Sequence, residues 1–154
     1  MKRSDALTPL SRDHHQGLFV AHRLTRATEE TRAEARAGFL AFWRADGELH
    51  FRAEEEILLP AYARHGSPEH EAVVRVLVEH VELRRLAADL EADTAPGLEL
   101  LHSVGKRLHD HIRHEERVLF PLIEEALPES ALSELAVALE RAERGCPCAS
   151  SSPS

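Results

Sequence analysis

The chain has 154 residues, of which 30% are charged, 43% apolar and 5% aromatic, with a formal net charge of −8. That length suits one domain with a core that needs no disulfide staples, and the acidic balance disfavours nucleic acid or an anionic membrane as partner. No apolar run reaches the roughly 18–20 residues that span a bilayer, and the N-terminal stretch lacks a signal-peptide core, so the expected location is cytoplasmic.

Ala, Leu, Glu and Arg dominate, and nothing alternates like a strand. Thr8-Pro9 pairs an N-cap with proline at the first helical position and opens a helix to about Thr28. After the polar stretch 29–33, a long second helix runs to His65-Gly66. Ser67-Pro68 starts a third, which reaches about Glu91. The segment Asp93 to Pro96 opens a fourth, which continues past Pro121 to Leu127, and Pro128 precedes a short fifth to about Glu143. Apolar residues recur at helical spacing: Leu10, Leu18, Ala21 and Leu24; Phe39, Phe42, Trp43 and Ile57; Val73, Leu77, Leu83, Leu86 and Leu90; Leu101, Val104, Leu108, Leu119 and Leu122. The expected fold is all-α, an antiparallel up-down four-helix bundle with a short extra C-terminal helix. Residues 1–145 form one domain in this reading, and the Ser/Pro-rich tail 146–154 is expected to be disordered. Its Cys146-Pro147-Cys148 has no neighbouring ligand set that would make it a metal or redox site.

Eleven histidines are the compositional anomaly, and an internal repeat organises them. The block His50-Phe-Arg-Ala-Glu54-Glu55-Glu-Ile-Leu58-Leu-Pro60 aligns with His111-Ile-Arg-His-Glu115-Glu116-Arg-Val-Leu119-Phe-Pro121, six of eleven positions being identical. Upstream of each lies an acid–histidine pair, Asp13-His14-His15 and Glu79-His80. Positions i and i+4 share a helix face, so each block can aim an imidazole and a carboxylate at one point. Two carboxylates, each with two oxygens, invite two metal ions. The histidine-rich set suits iron, zinc or copper better than magnesium or calcium. Composition alone produces one or two His-x3-Glu pairs by chance, and of the three present His65–Glu69 straddles a helix break. What favours metal over a structural polar network is the repetition, on faces otherwise apolar, where unsatisfied ionisable groups are costly.

These blocks resemble the hemerythrin-like (His-His-Glu cation-binding) family over about residues 8 to 127. The resemblance implies a four-helix bundle with two non-haem iron ions bridged by an oxygen from water, hydroxide or oxide. Carried across, it implies His15 and His50 on one iron, His80 and His111 on the other, and Glu54 and Glu115 as bridges. His14 and Glu116 are the alternative ligand candidates. Oxygen-carrying members place a further His where this chain has Val76, and an Asp five residues after the last His, where this chain has Glu at four and five.

His14 and His15 compete for one role, and the resemblance favours His15. Glu55 and Glu116 fall about 100° around the helix from Glu54 and Glu115, suiting roles beside the ligands rather than as ligands. Asp46, one turn before His50, is read as a surface residue. His22, His65, His70, His102, His109 and His114 have no repeat partner and are expected mostly on the surface. Tyr62 is read as helix-end packing, and Phe19, Phe42, Phe51 and Phe120 as core or as walls of the site. Three functions follow: a module binding or sensing oxygen or a related small ligand; an enzyme acting on peroxide, nitric oxide or oxygen; or a zinc-bearing or metal-free structural bundle. The expected partner is a small molecule, with no protein partner specified.

Overall fold

A computed structural model of the chain describes residues 2–143; the tail containing Cys146 and Cys148 lies outside the described residues, as does the expectation of disorder there. Five helices follow in order: α1 (Thr8–Thr25), α2 (residues 32–63), α3 (Glu71–Ala92), α4 (residues 98–126) and α5 (Glu129–Glu143), with no strand among the described residues.

Two long helices are not uniformly α-helical. In α2, wide π-helical turns at Trp43–Gly47 and Glu54–Leu58 interrupt Arg32–Phe42, Glu48–Ala53 and Leu59–Ala63. In α4, the turn Glu115–Leu119 separates Leu98–His114 from Phe120–Ala126. The second and third wide turns occupy matching repeat positions, each ending two residues before a proline. A proline inside a helix lacks its N–H and crowds the carbonyl four residues back. Widening the preceding turn relieves that crowding, and the amides of Leu59 and Phe120 donate to the carbonyls of Glu54 and Glu115, five residues back. Both helices therefore pass through Pro60 and Pro121 without ending.

Boundaries shift where local caps compete. α1 ends at Thr25 rather than Thr28, because the Thr28 amide donates to Thr31 Oγ1 at 2.8 Å and forms the turn before α2. Ser67 caps only a turn, accepting from the Glu69 amide. α3 starts at Glu71, capped by His70, whose Nδ1 accepts from the Ala72 amide at 3.1 Å.

The apolar core falls into two clusters. One contains Leu24, Phe39, Trp43, Phe51, Leu86, Leu101 and Leu108; the other contains Leu10, Leu58, Tyr62, Val73, Leu119, Phe120 and Leu135. α1 and α3 run from the second cluster to the first, and α2 and α4 run from the first to the second. His14, Glu54, His80 and Glu115, one from each helix, fall between the two clusters along the chain. α5 adds Leu135 and Leu139 to the second cluster. Tyr62 packs in that cluster and does not line the site; a Cβ on Gly66 would stand 2.5 Å from its ring.

α1 lies closest to α4, and Gly105 permits it: a Cβ there would stand 2.8 Å from the Ala21 carbonyl oxygen and from Leu24 Cβ. Backbone cannot yield as a side chain can, so Gly105→Ala should destabilise the chain by about 1–3 kcal/mol. Gly38, in α2, would meet nothing within 4 Å. Gly38→Ala should stabilise by roughly 0.5–1 kcal/mol through helix propensity. Denaturant unfolding of both variants checks the pair, and equal shifts of one sign would contradict the packing described.

Candidate metal centre

His14, His50, Glu54, His80, His111 and Glu115 converge at the centre of the bundle, each 7% exposed or less. They form two overlapping groups, His14–His50–Glu54–Glu115 and Glu54–His80–His111–Glu115, with ligand atoms in each group within 4.8 Å of one another. Both glutamates belong to both groups. Glu54 turns Oε2 to His50 Nε2 at 3.4 Å and Oε1 to His80 Nε2 at 3.2 Å, one oxygen for each half. Glu115 Oε1 lies 2.9 Å from His14 Nε2 and 3.5 Å from His111 Nε2, with Oε2 3.8 Å from His80 Nε2.

Of the first two histidines, it is His14 and not the expected His15 that enters the cluster. His14 is buried in the cluster, whereas His15 is exposed on the outer side of α1. One residue is about 100° of helix, so only one of two adjacent histidines can face the axis. The repeat contains the deciding signal: an acid immediately precedes each lone histidine, so Asp13-His14 corresponds to Glu79-His80. Glu116, the alternative ligand, stands outside the cluster and accepts from His14 Nδ1 at 2.7 Å.

That contact is one of four of a kind. The Nδ1–H groups of His50, His80 and His111 donate to Asp13 at 3.1 Å, Glu55 at 2.7 Å and Glu79 at 3.0 Å. A proton held at Nδ1 leaves the Nε2 lone pair free, and all four Nε2 atoms point inward. Three of the carboxylates are braced by arginines: Arg3 on Glu116, Arg84 on Glu55 and Arg75 on Glu79. Asp46, by contrast, is an exposed residue of the first wide turn, and it is Asp13 that supports His50. His114, expected on the surface, is buried and donates from Nε2 to the Ala72 carbonyl at 3.1 Å. His22, His65 and His109 are exposed.

Aromatic rings enclose the cluster. Phe51 stacks on His80 with centroids 3.8 Å apart, and Phe120 stacks on His14 at 5.3 Å. Phe42 lines a neighbouring hollow, and Phe19 is 58% exposed and takes no part.

Several atoms have no partner among the described residues. Nε2 of His50, His80 and His111, both oxygens of Glu54 and Oε2 of Glu115 are buried without a well-aligned hydrogen bond. Burying so many orphaned polar atoms is costly, and native interiors rarely tolerate it. Cations placed among them would satisfy all of them at once. The residues therefore fit a metal centre with nitrogen and oxygen donors.

Without metal, charge balance falls to protons. Burial pushes the His80 imidazolium towards release, but contacts with Glu115 and Glu54 outweigh it and hold the group at about 10. Burial likewise opposes charge on His50, yet Glu54, Asp13 and Glu115 raise it well above 6.5. Burial works against ionised Glu115, while His111, His14, His50 and His80 hold it well below 4.5. Glu116, despite burial, is lowered to about 2 by His14, Ser11 and Arg3. The stability that protonated His80 contributes is therefore complete below pH 6.5 and lost as pH rises to about 10. The contribution of Glu116 is complete above pH 4.5 and lost as pH falls towards about 2. The metal-free chain should accordingly be most stable between pH 4.5 and 6.5, with Tm falling as pH is raised towards 10. Thermal melts in chelator across that range check this, and a Tm that climbs on the alkaline side would contradict it.

Residues 6–140 match the family model described as Hemerythrin HHE cation binding domain. No curated protein and no solved structure matches the chain.

Proposed function

The chain belongs to the hemerythrin HHE cation-binding family, and from that premise we propose that it is a non-haem di-iron protein that binds or senses dioxygen or a related small ligand. The site lies in the core of what we read as an antiparallel up-down four-helix bundle, residues 1–145 forming one domain. The observation that carries this reading is the set of buried, unpartnered Nε2 and carboxylate oxygen atoms shared between two overlapping groups. In it, His14 and His50 hold one ion, His80 and His111 hold the other, and Glu54 and Glu115 serve both. Four imidazoles and two carboxylates, without thiolate, suit iron among the metals such bundles hold. Two ferrous ions would supply the electrons and open positions that reversible binding of dioxygen requires.

The surroundings support a small apolar ligand. A hollow of about 20 Å³ adjoins His14, His50, His111 and Glu115, walled by Phe42, Trp43, Phe51, Leu108 and Ile112. A space of that size admits roughly one water-sized molecule, which suits a diatomic ligand. Gly47 helps to shape it: a Cβ there would stand 2.7 Å from the Trp43 ring. The four Nδ1 partners keep each imidazole in one tautomer and orientation, and the phenylalanine rings keep water from the cluster.

A turnover reading draws on Val76. It is fully buried one turn before His80 and offers no donor, so fewer protein ligands surround that half than in oxygen-carrying relatives. Steady-state loss of peroxide or nitric oxide on the iron-loaded chain would favour the enzyme, and its absence the binding module.

Protein purified without added metal should contain about two irons per chain, the count that two overlapping donor groups predict. His14→Ala and His111→Ala should each lose iron, while His15→Ala and His109→Ala retain it; the reverse pattern, or stoichiometric zinc alone, would overturn the proposal. Leu108→Phe, which fills the hollow, should keep both irons yet slow the absorbance change on adding dioxygen to the reduced protein by about tenfold or more. An unchanged rate would mean that the ligand reaches the site another way.

A further inference from the structure

Eight large hydrophobic side chains are exposed among the described residues, and four of them fall within eight residues of α3: Val74 (45%), Leu77 (40%), Val78 (51%) and Val81 (69%). The inner face of α3 already supplies Val73, Val76, His80, Leu83 and Leu86 to the core and the site. The helix is thus apolar on both sides over this stretch, which packing among the described residues does not account for.

The spacing along the outer face is regular. Glu71, Val74, Val78, Val81 and Arg85 follow one another at alternating intervals of three and four, the seam by which one helix packs along another. Charges bound the apolar stretch with opposite signs, Glu71 at the N-terminal end and Arg85 at the C-terminal end. Glu71 has no ion-pair partner among the described residues. Arg85 is 65% exposed and, among the described residues, pairs only with Asp89, one turn further on.

We propose that this face is the interface of a two-fold symmetric homodimer, in which α3 packs antiparallel against α3 of a second copy. The four apolar residues are centred between positions 77 and 78, and Glu71 and Arg85 are equidistant from position 78. An antiparallel pair crossing there lays each apolar stretch on its copy and brings Glu71 to Arg85 at both ends. A parallel pair would instead oppose Glu71 to Glu71 and Arg85 to Arg85, so the charges select the antiparallel arrangement, with the two-fold axis perpendicular to the helices. Arg84 does not compete for Glu71, because Glu55 holds it at 2.8 Å beside His80.

Sedimentation or light scattering on the full chain tests this at about 100 µM, enough to populate a micromolar dimer. The expected mass is twice the 17.2 kDa of one chain. Val78→Asp sets two carboxylates against each other at the two-fold axis and should return the mass to 17.2 kDa, with helical content and metal content unchanged. Glu71→Arg alone should also dissociate the dimer, and adding Arg85→Glu should restore it. A wild-type chain that is monomeric at this concentration, a dimer indifferent to Val78→Asp or Glu71→Arg, or a double variant that stays monomeric would each overturn the proposal.

Discussion

Two glutamates and four histidines sit where the interior of a helical bundle would ordinarily be apolar, and the rest of the molecule is arranged around that fact. Glu54 and Glu115 are fully buried, and each lies against imidazoles of both halves. Removing ionised carboxylates from water costs several kcal/mol each unless opposite charge faces them closely. Imidazolium can provide that charge when metal is absent, and cations can provide it when metal is bound. In both states the six groups must remain within a few ångströms of one another. The apolar clusters on either side act as clamps that maintain this spacing.

The supports follow a pattern that crosses the repeat. Glu55, from the first block, holds His80 of the second half, and Glu116, from the second block, holds His14 of the first. Asp13 and Glu79 instead hold the histidine of their own half. Each half thus orients one imidazole of the other, so neither hairpin carries a finished site alone. The arginine braces extend this outward: Arg3, before α1 begins, reaches Glu116 and Glu124 on α4 and lies 5.3 Å from the Phe120 ring. Through Glu116 and Phe120, that N-terminal residue bears on His14.

Much of this was legible in the residues. Helix composition, proline-marked starts and apolar periodicity mark the five helices, the duplicated His-x3-Glu block points to four of the six clustered residues, and the acid–histidine pair Glu79-His80 points to a fifth. The sixth is His14 rather than the expected His15, because helix phase cannot be read to one residue from sparse apolar positions. Leu18 is compatible with either His14 or His15, and only the match of Asp13 with Glu79 separates them. The wide turns were not foreseen, since a proline deep in a helical pattern ordinarily signals an end or a kink. Its recurrence at Pro60 and Pro121 was the available clue. His114 departs from the expected surface position for a different reason: its partner is a backbone carbonyl on α3, and long-range backbone contacts leave no mark in the local sequence.

In the proposed centre, the cluster would hold two ions, each between two histidines and sharing both glutamates. Anomalous diffraction at the iron edge from crystals of the protein as purified addresses it directly. Two peaks are expected, one within His14, His50, Glu54 and Glu115 and one within Glu54, His80, His111 and Glu115. A single peak, a peak at the exposed His15, or no iron signal within the bundle would contradict it.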